Sequence, residues 1–159
     1  MKVLFLDIDG VLNSEVFYTK KSQWERYKRA EDSGYNRDEQ RALANIDKEA
    51  ISLLNYIVEN TNAEIVISST WRSDSNLPYI MRFMGLKRPY YGITPYDKSR
   101  HRGTEIQTWL DDYRNNIKYV ILDDDSDILE HQLPYFIKVN SYYGLTKEVA
   151  DKVIEILNN

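Results

Sequence analysis

The chain has 159 residues, 42% of them apolar and 29% charged, with a formal net charge of −4 and no cysteine. That length suits one domain, 1–159, that builds a core without staples. The missing cysteines exclude disulfides, thiolate nucleophiles, iron–sulfur clusters and Cys-ligated zinc, and two histidines, His101 and His131, leave little for a multi-histidine centre or a Ser-His-Asp triad. Any metal here would be hard and oxygen-bound.

Residues 2–6, Lys-Val-Leu-Phe-Leu, read as a buried parallel strand. The same apolar run is too short for a signal peptide, and no segment approaches the roughly 20 apolar residues of a membrane span, so a cytoplasmic location is expected. Residues 14–46 break the pattern. They are polar and carry Lys20, Lys21, Arg26, Lys28, Arg29, Arg37 and Arg41 against Glu15, Glu25, Glu31, Asp32, Asp38 and Glu39, nearly neutral by count. This reads as a flap inserted after the first strand, helical around 23–30 and too small for a cap domain.

Leu53, Tyr56, Ile57 and Asn60 mark a helix beginning near Asp47, and residues 64–67 a second strand. Leu77, Ile80, Met81 and Met84 predict a helix that Gly85 stops, and residues 90–93 a short extra strand. Ile106, Trp109, Leu110 and Tyr113 predict the next helix; residues 119–122 and 135–139 read as strands; Val149, Val153, Ile156 and Leu157 complete a last helix capped by Thr146. Strands alternating with helices imply a doubly wound α/β sheet. The methionines and aromatics at helical spacing are assigned to the core; Trp71 is either core, the favoured reading, or a base-stacking platform.

In such a sheet the ligand crevice lies at the carboxyl ends of the strands. The first strand is followed by Asp7-Ile8-Asp9-Gly10-Val11-Leu12-Asn13, the second by Ser68-Ser69-Thr70-Trp71-Arg72, and the third by Asp123-Asp124-Asp125-Ser126-Asp127. Six carboxylates crowded at one edge would raise one another's pKa unless a cation shares them, and Mg²⁺ suits carboxylates completed by a substrate phosphate. A calcium loop starting at Asp7 fails, because Leu12 and Tyr18 stand where it needs Gly and Glu. There is no Walker A sequence.

Asp7-Ile8-Asp9-Gly10-Val11 resembles the first motif of the haloacid dehalogenase-like (HAD) superfamily of phosphotransferases. Together with Ile-Ser-Ser-Thr-Trp-Arg, Arg102-Gly103-Thr104-Glu105-Ile106, Leu-Asp-Asp-Asp-Ser-Asp and Gly144-Leu145-Thr146, it resembles the HAD domain of Swiss Army Knife RNA repair proteins. The resemblance implies a Rossmann-like three-layer α/β/α sandwich with a mainly parallel sheet and no large cap. It implies that Asp7 is the nucleophile, forming an aspartyl-phosphate, and that Asp9 is the general acid and base. Mg²⁺ would be held by Asp7, the backbone carbonyl of Asp9 and Asp124, with Asp123 and Asp127 orienting ligands from behind. Ser68, or Ser69 beside it, would hold phosphate, with Arg72 or a surface salt bridge as the two readings of that arginine. For the cation that steadies the charged intermediate the superfamily's habit favours Lys98, with Arg102 next and Arg100 also in reach.

HAD enzymes without a cap are associated with macromolecular substrates. Residues 82–102 carry Arg82, Lys87, Arg88, Lys98, Arg100 and Arg102 against Asp97 alone, interleaved with Tyr90, Tyr91 and Tyr96, which suits either a nucleic-acid backbone or a solvated loop. The expected activity is a Mg²⁺-dependent phosphomonoesterase acting on a phosphorylated substrate, RNA or DNA ends with a 3′-phosphate being favoured. The alternatives are a 5′-nucleotidase and a silent binding module. If Phe17, Tyr18 or Trp24 close the flap over the crevice, a mononucleotide fits; if a groove is left, a polymer does.

Overall fold

The computed structural model describes residues 1–98, 101–113 and 116–159. Its strands are β1 (Lys2–Leu6), β2 (Glu64–Ile67), β3 (Gly92–Ile93), β4 (Lys118–Asp123) and β5 (Phe136–Lys138), paired in the order β3-β2-β1-β4-β5, all parallel. The chain moves from β1 outward to β2 and β3, then returns to add β4 on the other side. The strand order therefore reverses between β1 and β4, the place where an open sheet offers a crevice.

β1 is central, and its alternation divides the core. Leu4 and Leu6 face a large cluster with Ile51, Leu54 and Ile57 of α4 (Lys48–Thr61), Ile80 and Met81 of α5 (Leu77–Phe83), and Val153 and Leu157 of α7 (Lys147–Asn158). Val3 and Phe5 face Ile106 and Trp109 of α6 (Arg102–Asp112), where Phe5 and Trp109 meet edge to face at 5.3 Å. Helices thus cover both faces, which is why β1 reads as unbroken apolar sequence. This is the Rossmann-like three-layer sandwich expected. Asp47 and Thr146 cap α4 and α7, and Gly85, at φ +104°, follows α5. No helix among the described residues is long and apolar enough to cross a membrane.

The flap is more helical than its sequence suggests: α1 (Glu15–Lys20), α2 (Gln23–Asp32) and α3 (Arg37–Asn45) fill it. Their low hydrophobicity hides them from a periodicity search, but each of the longer two begins at a capping box, Ser22 with Glu25 and Asn36 with Glu39. The α2–α3 pair docks beside α5, where Tyr79 donates to Glu39 at 2.7 Å, Tyr35 packs edge-on against Phe83, and Arg41 pairs with Asp74. The start of α1 is tied to the loop after β5, with the Glu15 and Val16 amides donating to the Ser141 and Tyr142 carbonyls.

Candidate active site

Asp7 leaves the end of β1 with its amide donating to the Leu122 carbonyl at 3.0 Å, so the two central strands fix its position. Ile8, Val11 and Leu12 are fully buried and pin the loop that follows. Gly10 lets that loop turn, at φ +74°, and also lets it meet β4: a Cβ there would lie 2.4 Å from Asp124 Oδ2. Asn13 ties the turn together. Its Oδ1 accepts from the Gly10 amide at 2.8 Å, and its Nδ2 donates to Asp9 Oδ1 at 3.1 Å and to the Asn45 carbonyl at 2.9 Å.

One oxygen from each of Asp7, Asp123 and Asp124 lies within 4.8 Å of the others, an all-oxygen donor set of the kind a small hard cation takes. The cost of this crowding without a cation shows in the acids themselves. Asp7 is pushed up to about 7 by burial and then by the Asp123 charge, partly offset by Arg102 and by a Ser69 hydrogen bond. Asp123 and Asp124 are also raised, in both cases chiefly by burial. The residues present fit a divalent cation, because its charge would offset both the burial and the mutual repulsion of these carboxylates.

Arg102 is the cation that faces Asp7. Its Nη2 lies 3.2 Å from Asp7 Oδ1 and its Nε 2.9 Å from Asp123 Oδ2. Asp127 holds this arginine in place, accepting from the Arg102 amide at 3.0 Å and pairing with His101 at 2.8 Å. Gly103 admits the helix start closely: a Cβ would lie 2.5 Å from the Leu129 nitrogen. Lys98, favoured by the resemblance, is exposed and does not line the crevice around Asp7, whereas Arg102 does. Arg100 lies outside the described residues.

Asp123 uses Oδ1 to accept from the Asp125 amide and presents Oδ2 to Arg102, so it braces the cluster. Asp125 is exposed.

Ser68 and Ser69 are both buried at the end of β2, with different surroundings. Ser69 caps the short turn Thr70–Ser73 and hydrogen-bonds Asp7. Ser68 Oγ is fully buried and has no hydrogen-bond partner among the described residues. Arg72 is buried in protein contacts: its side chain, 2% exposed, donates to the Ser68 and Ser69 carbonyls and pairs with Glu105 at 2.6 Å, while Tyr96 stacks on it. It braces the serine loop, a role that neither reading of its sequence context anticipated, since the pair is buried.

Two residues at the site escaped the sequence reading. Trp71, assigned to the core, is only half-buried, and its Nε1 donates to Asp9 Oδ2 at 3.0 Å. With Asn13 on the other oxygen, both oxygens of Asp9 are held by neutral donors. Asn13 could have been noticed, because a side chain so close after Asp-x-Asp-Gly is placed to bond the turn it ends. Nothing in the sequence marks Trp71.

A parallel sheet whose switch point gathers a buried acidic nucleophile candidate, a cation site and an arginine defines a phosphotransfer-type α/β domain. The chain belongs to the family described as the HAD domain in Swiss Army Knife RNA repair proteins, whose model matches residues 3–150. No curated protein and no solved structure matches it.

Proposed function

We propose that this domain is a Mg²⁺-dependent phosphomonoesterase that works through an aspartyl-phosphate on Asp7, with nucleic-acid ends bearing a 3′-phosphate as its substrate. The observation that carries the reading is the placement of Asp7 against both Arg102 and the Asp123–Asp124 pair. Asp7 and Asp124, with the Asp9 carbonyl, would hold Mg²⁺, which when bound neutralises carboxylate and phosphate so that anion can meet anion. Asp7 attacks phosphorus, and Asp9 protonates the departing ester oxygen and then takes a proton from the water that hydrolyses the intermediate. Arg102 and Ser68 bind the phosphoryl oxygens.

The family's printed description, RNA repair, supports a nucleic-acid substrate. So does the flap: no residue of α2 or α3 lines the crevice, a cavity of about 350 Å³, and of the five flap aromatics only Tyr18 borders it, Phe17 being buried and Trp24 74% exposed. Tyr18 is also what favours the second reading, a 5′-nucleotidase, because one aromatic at the rim can stack on a base. Phosphate release from 3′-phosphorylated oligonucleotides, 5′-phosphorylated oligonucleotides and free mononucleotides, with and without Mg²⁺, decides between them. Preference for the first supports the proposal, preference for mononucleotides replaces it with the nucleotidase, and no release from any overturns the enzyme reading.

The grip on Asp9 predicts a leaving-group signature. Trp71→Phe keeps the ring and removes the N–H, so hydrolysis of a nucleotide ester, whose alkoxide needs its proton, should fall roughly tenfold. Hydrolysis of p-nitrophenyl phosphate, whose leaving group needs little protonation, should fall far less. Equal losses on both would mean that the indole serves packing alone.

The acids also predict how stability follows pH. Because Asp7 is raised to about 7 from 3.8, the folded state without cation holds this proton more tightly than the unfolded chain does. Its contribution is complete below about pH 4 and is lost as pH rises through 7. Mg²⁺ favours the carboxylate form, so the rise in Tm on adding Mg²⁺ should be larger at pH 8 than at pH 5.5, measured by thermal melts. A Mg²⁺ effect that is flat with pH would remove Asp7 from the metal site.

A further inference from the structure

In the segment richest in positive charge, 82–102, three of the six cations are paired among the described residues of the fold. Lys87 pairs with Glu59, Arg88 with Glu64, and Arg102 with the catalytic acids. The flap, nearly neutral by count, does the opposite and sorts its charges in space. Three of its six acids are drawn to caps and docking contacts: Glu25 closes the Ser22 box, Glu39 closes the Asn36 box and takes the Tyr79 hydroxyl, and Asp38 takes the Asn76 amide, while Glu31 and Asp32 stay exposed at the end of α2. What remains is a groove of about 520 Å³ lined by Lys20, Lys21, Arg26 and Arg29 over Ala30 and Leu43, with no acidic side chain among its lining residues.

These cations differ in a way that suits binding. Arg26 is already held, lying 3.8 Å over the Phe17 ring and donating to the Phe17 carbonyl at 2.6 Å, so little side-chain freedom is left to lose when a ligand arrives. Lys21 and Arg29 are exposed and make no ion pair among the described residues, and Lys20 has only a loose one, 3.8 Å from Glu49. The groove also adjoins the catalytic crevice through one short helix. The first turn of α1 and Tyr18 line the crevice, and Lys20 at its end lines the groove. Six residues of helix span about 9 Å, the rise of about three nucleotides along a strand.

The crevice itself is lined by acids with Arg102 as their cationic partner, so it has little to attract the rest of a polyanion. We propose that the flap groove binds the phosphodiester backbone of a single-stranded nucleic acid a few nucleotides from the terminal phosphate that Asp7 attacks, an inference that rests on the phosphatase reading. Regularly spaced phosphates match several cations over an apolar floor, and each one paired releases counterions.

The test uses the full chain and a 12-nucleotide single-stranded RNA carrying a 3′-phosphate. Lys21→Glu/Arg29→Glu reverses two exposed, unpaired charges, and Lys28→Glu, exposed on α2 outside the groove, is the control. The double variant should raise KM for the oligonucleotide about tenfold more than KM for p-nitrophenyl phosphate, and flatten the slope of log Kd against log salt by about two, read by fluorescence anisotropy. Lys28→Glu should leave both unchanged. Equal KM changes on the two substrates, an effect of Lys28→Glu as large as that of the double variant, or displacement of the RNA by polyglutamate at equal charge concentration would each overturn the groove. Should the wild-type chain release no phosphate from any substrate, the phosphatase reading falls by itself, and anisotropy then judges the groove alone: weaker RNA binding by the double variant upholds it, and unchanged binding ends it.

Discussion

Asp7→Asn should release no phosphate from any ester the wild-type protein hydrolyses, a loss on the order of 10⁴-fold or more, because an amide cannot displace a leaving group from phosphorus. The same substitution should make the cation-free protein more stable at pH 8. Above pH 7 the wild-type chain must keep a carboxylate in a buried place beside Asp123, which is why the proton is held so firmly there. The neutral amide has the same shape without that cost, and Arg102 keeps Asp123 as partner. Activity and thermal stability would move in opposite directions, a pairing that general damage to the fold does not produce. Wild-type turnover by this variant would dismiss Asp7 as the nucleophile; lower cation-free stability at pH 8 would show that the Arg102 contact outweighs the burial.

Gly10→Ala should be the second severe change, for two separable reasons. A left-handed backbone costs a residue with a Cβ about 1–2 kcal/mol, which would lower Tm by a few degrees in a domain of this size. The added methyl would also occupy the place of the Asp124 carboxylate, whose Oδ2 and Cγ stand 2.4 and 2.5 Å from it. Asp124 must then move, and displacing a group of the reacting constellation by about an ångström costs roughly a hundredfold in rate. Gly10→Ala should therefore bind Mg²⁺ weakly and turn over slowly while remaining folded. Gly34→Ala is the comparison: it has φ +80° but open space around it, so it should share the stability cost and spare activity. If both variants lose activity equally, backbone strain alone accounts for the effect.

The sheet was legible because each strand is a short apolar run ending in polar residues, and the chemistry stands where those runs end. Asp7 and Asp123 could be placed at the crevice, and Ser68 at the end of its strand, from that rule alone. The flap's helices were harder to see, since they are so polar overall that their capping boxes carry the signal. Choosing among Lys98, Arg100 and Arg102 was beyond the sequence: that Arg102 reaches Asp7 depends on an amide held by Asp127 and a glycine that lets its helix start close to the loop after β4. Arg72 was misread for a related reason. Its partner Glu105 lies 33 residues away, and no local pattern shows that the two are buried together.

Asn13 joins the turn after β1 to the far end of the insertion, its amide spanning Asp9 and the Asn45 carbonyl, while the Asp47 amide returns to Leu12. Arg41 of α3 lies over the ring of Trp71, whose indole nitrogen holds the other oxygen of Asp9. Both hands on the acid are thus braced by the same 14–46 segment. The insertion is consequently no detachable module: a chain from which it was excised could keep the sheet and Asp7 yet lose the acceptor and the cation that steady Asp9. Loss or shortening of the segment in a related chain would demand a replacement for both contacts, so variation in its length should be concentrated between α2 and α3, away from its two anchored ends.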